Sequence, residues 1–75
     1  MQRYFFDFVS RSRSEFDYAG REFPSPERAL RLAELIALDQ SSRGERIGWS
    51  VNVFDAVGKK YFSVQVTELP ELRAA

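Results

Sequence analysis

The sequence contains neither histidine nor cysteine. Acid–base chemistry would therefore fall to Asp and Glu, and nucleophilic attack to Ser, Thr or Lys. The best-placed carboxylate is Asp7, inside the run Arg3-Tyr4-Phe5-Phe6-Asp7-Phe8-Val9, where neighbouring rings could shield it from water. An Asp on the outer face of a strand is more often solvated, or paired with a cross-strand Arg or Lys. The usual zinc frameworks and disulfides are excluded by composition. Four scattered glycines do not build a phosphate cradle or a dinucleotide fingerprint. The expectation is a protein that is not an enzyme and holds no cofactor or metal.

The elements that would position Asp7 are short. Side chains on a strand alternate sides, so Tyr4, Phe6 and Phe8 share one face while Phe5, Asp7 and Val9 share the other. After a polar connection at residues 10–14, Glu15 to Tyr18 is expected as a short second strand. A turn at Asp17-Tyr18-Ala19-Gly20 and an extended Arg21-Glu22-Phe23 follow. Pro24-Ser25-Pro26 then reads as a stop, an N-cap serine and a proline at the first helical position, with Glu27 in the first turn. Ala29, Leu30, Leu32, Ala33, Ile36 and Ala37 fall on one stripe of that helix, while Leu35 and Leu38 drift from its centre. The helix is expected to fade near Ser41, with Gly44 as its stop.

Two more strands follow. Trp49, Val51 and Val53 are expected to face the core from a strand over residues 49–54, and Phe62, Val64 and Val66 from one over 61–66. Between them Asp55-Ala56-Val57-Gly58 has the Asp and Gly of a type I turn, so the pair reads as a hairpin. Phe16-Asp17-x-x-Gly20-Arg21-Glu22-Phe23 echoes Phe54-Asp55-x-x-Gly58-Lys59-Lys60-Tyr61, a repetition open to internal duplication but more simply explained by turn chemistry, which demands Asp and Gly at such offsets. The expected fold is α+β: a mainly antiparallel sheet of three or four strands with one helix on one face. Residues 1–68 form the single domain and residues 69–75 a flexible tail.

With 75 residues the chain has room for one domain, and such a domain buries only about 60% of its unfolded surface. Good packing or a partner subunit must supply the rest, and the 15% aromatic content helps. Lys+Arg and Asp+Glu both number 11, so no long-range field draws the chain to nucleic acid or anionic lipid. No stretch approaches the ~20 apolar residues of a membrane span, and Asp7 with Arg11 and Arg13 interrupts any secretory signal. A cytoplasmic location without membrane contact is expected.

The order of these motifs, R-Y-F-F-D at Arg3 to Asp7, D-x-x-G-x-E-F-P at Asp17 to Pro24, an alanine-rich helix, and W-x-V-x-V-x-D-x-x-G at Trp49 to Gly58, resembles a family of short uncharacterised bacterial proteins, a domain of unknown function. Gln2 stands where family members often carry proline, and Arg11-Ser12-Arg13 where they carry an Asp- or Gly-rich turn. The resemblance implies no activity and no site residues.

One helix covers one face of a sheet, so the other face is the functional candidate. It is expected to carry Phe5, Asp7, Val9, Asn52, Phe54, Tyr61 and Ser63, and to act as an interaction face for a second copy or another protein. An edge strand offers a second route to self-association. The alternative is single-stranded nucleic acid stacked on Phe5, Phe54 and Tyr61, with Arg11, Arg13, Arg43, Arg46, Lys59 and Lys60 on phosphates.

Overall fold

The alternating aromatic run at the start of the chain becomes the spine of the sheet. In the computed structural model, which describes residues 1–69, β1 (Gln2–Val9) runs antiparallel to β4 (Ser50–Asp55) from Tyr4↔Asp55 to Val9↔Ser50. β4 in turn pairs antiparallel with β5 (Lys60–Gln65). Along the other side of β1 lie two short strands. β2 (Ser14–Glu15) pairs with Phe8 and Val9, and β3 (Arg21–Phe23) pairs with Gln2 to Tyr4. The sheet thus has five antiparallel strands, one more than the upper expectation, because one edge is split into two pieces.

The split shortens the expected strand at Glu15 to Tyr18, which ends at Glu15. Beyond it the chain leaves the ladder, and the Asp17 side chain takes over. Its Oδ2 accepts the Phe6 N–H at 3.2 Å, the backbone donor that a continuous edge strand would have satisfied.

Helix α1 (Pro26–Arg43) begins and ends as its capping residues dictate. Ser25 is extended and its hydroxyl accepts the Arg28 N–H, Pro26 opens the helix, and Glu27 sits in the first turn. Gly44, at φ 67°, closes it with N–H bonds from Gly44 to Ser41 and from Glu45 to Gln40. Ala29, Ala33 and Ala37 are buried at successive turns, and these small side chains let α1 lie close over Val51 and Val53. Tyr4, Phe6 and Val66 complete the buried cluster, with Phe8, Phe23, Leu32, Ile36, Phe62 and Val64 packed at its margin. The fold is α+β, with the helix on one face of the sheet.

Two expected placements differ, that of Trp49 in the core and that of Tyr61 on the open face. Trp49 is half-buried and lies outside the cluster, beneath the Arg46 guanidinium, 5.8 Å from the ring centroid. Tyr61 is displaced by a β-bulge: Val53 pairs with Phe62 but Phe54 pairs with Lys60, so Tyr61 is the extra residue. Of the expected tail, Leu69 is exposed and residues 70–75 lie outside the described residues.

Candidate protein-interaction surface

Strand register decides which side chains share the face turned away from α1. Phe5 stands directly opposite Phe54, Asp7 opposite Asn52, and Val9 opposite Ser50 on the neighbouring strand. Asn52 is opposite Ser63 on its other side, and Phe54 opposite Lys60. Phe5, Asp7, Val9, Asn52, Phe54 and Ser63 therefore come together on this face. Tyr61 does not. The bulge turns its ring toward the helix side, where it packs edge-on against Tyr4 at 5.7 Å and its hydroxyl donates to Asp55 Oδ2 at 3.3 Å. Assigning Tyr61 to the open face is thus corrected, because the bulge interrupts the strict alternation on which that assignment rests.

Two aromatic residues join the face from outside the long strands. Phe16 and Tyr18 flank Asp17 in the loop between β2 and β3, their rings 6.3 Å apart and 58% and 87% exposed. With Phe5 and Phe54 they wall an open groove of 640 Å³ whose polar lining includes Asp7 and Asp17. Phe16 and Tyr18 were not legible as site residues from strand alternation. The repeated Phe-Asp-x-x-Gly pattern was the available signal, since residues of both copies line this groove.

The groove's shape depends on how tightly the Asp17 loop is held. Asp17 Oδ1 accepts the N–H groups of Ala19 and Gly20, both at 3.0 Å. Burial alone would raise the Asp17 pKa. The N–H donors of Gly20, Phe6 and Ala19, helped by the charge of Arg21, outweigh that and hold the carboxyl below its usual range. The Asp17 N–H donates to Asp7 Oδ1 at 3.0 Å, tying the loop to the open face of β1. Arg3 clasps the same loop, donating to the carbonyls of Ala19 and Gly20 at 2.8 and 3.3 Å. Gly20 sits at φ 70°, and a Cβ there would lie 2.8 Å from the Tyr4 carbonyl oxygen and 2.9 Å from the Phe5 ring. Only glycine admits this close approach.

Asp55 plays the equivalent part in the second turn. Its Oδ1 accepts from the N–H groups of Val57 and Lys59 at 3.0 and 2.9 Å, and its backbone carbonyl accepts from Gly58. Burial works to raise the Asp55 pKa, but the Lys59 and Val57 N–H groups, the Tyr61 hydroxyl and the Lys59 charge together lower it. Both Asp side chains serve their turns.

Asn52 differs. It is only 7% exposed, and its Oδ1 is buried with no hydrogen-bond partner. It occupies the centre of the open face, between Asp7 and Ser63. A buried amide oxygen left unpaired costs on the order of 1–3 kcal/mol, so such a group needs an explanation.

The basic residues assemble poorly around the rings. Arg46 lies 4.6 Å from the Phe8 ring centroid, donates to Gln40, and pairs with Glu15 at 2.6 Å. Arg43 pairs with Asp39 along the helix, and Lys59 lies over Tyr61 on the other side of the sheet. Among the described residues no group of three or more Asp or Glu side chains is arranged to hold a metal ion, and no helix is long and apolar enough to cross a membrane.

Residues 3–67 match the family described as "Domain of unknown function (DUF6894)". The match spans most of the 75 residues, and the chain belongs to that family. No curated protein matches the chain, and no solved structure does.

Proposed function

We propose that this chain, as a member of that family of unknown function, is a non-catalytic interaction module that pairs with a second copy of itself through the sheet face opposite α1. The observation that carries the reading is Asn52: a buried side chain in mid-sheet, with an unpartnered oxygen, on a face that no other described element covers. A primary amide holds both a donor and an acceptor. A two-fold axis passing beside Asn52 would set the two amides against each other, so that each answers its mate. The half-buried rings of Phe5 and Phe54 would pack around that pair, and the zero net charge leaves no overall repulsion to overcome.

Sedimentation equilibrium tests this directly. The chain is expected to be a dimer, and Phe5→Ser with Phe54→Ser is expected to convert it to a folded monomer. A wild type that stays monomeric at high concentration overturns the proposal.

Stacking of single-stranded nucleic acid on the same rings is the weaker reading. Tyr61 lies on the far side of the sheet, Arg46 is engaged with Glu15, and the Asp7 carboxylate beside Phe5 would repel a phosphate. A mobility shift with short single-stranded DNA or RNA is expected to show no salt-sensitive binding. The cysteine-free composition and the resemblance to short bacterial proteins point to the cytoplasm of a bacterium as the place of action.

A further inference from the structure

We propose that the aromatic groove beside Asp7 receives an arginine side chain from the 10–14 loop of a second copy; this rests on the self-association proposed above and names the contact that would orient it. The groove joins the rings of Phe5, Phe16, Tyr18 and Phe54 to a single available anion. Three acidic residues line it, but both oxygens of Asp17 already accept backbone N–H groups, and those of Asp55 accept the Val57 and Lys59 N–H groups and the Tyr61 hydroxyl. Asp7 gives only its Oδ1 to the Asp17 N–H, and among the described residues it forms no ion pair. Ring faces around one carboxylate that still has an open oxygen complement a flat cation with an apolar stem. A guanidinium can lie over the rings and donate to the carboxylate at the same time.

The same chain carries a matching donor. Arg11 and Arg13 are exposed, and neither forms an ion pair among the described residues. Their loop is already shaped: the Ser10 N–H donates to the Arg13 carbonyl at 2.8 Å, and the Arg13 N–H to Ser10 Oγ at 3.1 Å. Docking would therefore order little backbone.

The positions also suit a two-fold. β1 runs from the groove at Phe5 to the loop at Ser10, and the Asp7–Asn52 pair lies between. An axis beside that pair, perpendicular to the strands, lays each β1 antiparallel over its mate. The loop end of one copy then stands over the Phe5 end of the other, and the contact occurs twice.

Sedimentation equilibrium of the full chain at low and high salt provides the test. Asp7→Asn keeps an acceptor for the Asp17 N–H but removes the charge, so its urea midpoint should match wild type. Its dimer Kd should rise about tenfold, the scale of a partly desolvated cation–ring and charge contact, with a flatter salt dependence. Arg11→Glu with Arg13→Glu should weaken the dimer at least as much, and adding Asp7→Arg to that pair should restore association. A dimer whose Kd and salt dependence ignore all of these changes overturns this contact and leaves the self-association standing. A monomeric wild type overturns both.

Discussion

The N–H of Phe6 donates to the carboxylate of Asp17 across the gap between β2 and β3, at 3.2 Å. One side chain thereby replaces the strand that the edge lacks, while its other oxygen holds Ala19 and Gly20. Asp17→Ala would strip the acceptor from three backbone donors at once. It is expected to destabilise the domain by about 2–3 kcal/mol, read as a lower urea midpoint, with Asp17→Asn falling between the two. An alanine variant as stable as wild type would show that water replaces the carboxylate at no cost.

Asp17 and Asp55 also set the response to acid. Both have a pKa lowered in the folded chain relative to the usual 3.8, so below that value the unfolded chain binds more protons than the folded one. Their contribution is present above the unfolded pKa and is lost as pH falls through the lower, folded one. Urea midpoints followed from about pH 6 to about pH 2 should hold steady at first and then drop below about pH 4. Asp17→Asn with Asp55→Asn should start lower and lose less over the acid range. An equal acid loss in that double variant would assign the transition to other carboxylates.

The two Asp-x-x-Gly turns make different demands on their glycines. A Cβ added at Gly20, where φ is 70°, would run into the Tyr4 carbonyl and the Phe5 ring, whereas one added at Gly58, where φ is 86°, would point into open space. Gly58→Ala should therefore cost only the left-handed backbone, about 1–2 kcal/mol. Gly20→Ala must in addition push β1 away from the loop. It is expected to be the more damaging by calorimetric Tm. Equal losses would mean that the loop can shift to make room.

How much of this was legible follows from the range of each signal. The helix was legible because its instructions are local: Ser25 and Pro26 at one end, Gly44 at the other, and alanines on one stripe between. The facing of Phe5, Asp7 and Phe54 was legible because alternation needs only the strand itself. The role of Arg46 was not, since it joins Glu15, Gln40 and the Phe8 ring, which meet only after the chain folds. The unpartnered oxygen of Asn52 was likewise invisible, because an amide between two valines reads as an ordinary outward residue. The bulge at Tyr61 escaped for a different reason: both Tyr61 and Phe62 suit a strand, and nothing local shows that both belong to the helix side.

Arg46 should act as a tie rather than as a surface charge. Its guanidinium reaches Glu15 with two nitrogens, at 3.1 and 2.6 Å, and Gln40 with a third contact at 2.9 Å. A lysine cannot reproduce that fork. Arg46→Lys is expected to lower stability by about 1 kcal/mol and Arg46→Ala by about 2, with faster amide exchange at Ser14 and Glu15 in both. Unchanged exchange in β2 would show that its pairing with Phe8 and Val9 holds it without help.

Tyr61 and Phe54 are neighbours across the hairpin yet lie on opposite sides of the sheet, and they separate folding from association. Tyr61 packs on Tyr4 and donates to Asp55, so Tyr61→Phe should cost about 1 kcal/mol of stability by losing the hydroxyl alone. Tyr61→Ser should cost more, with the ring contact gone as well. Neither should alter the association constant measured on the folded fraction, because this side chain faces the helix layer. Phe54→Ser should do the reverse, leaving the urea midpoint at low concentration little changed while weakening the dimer. A Tyr61→Ser chain that stays stable but turns monomeric would contradict both the bulge's placement of that ring and the choice of interface.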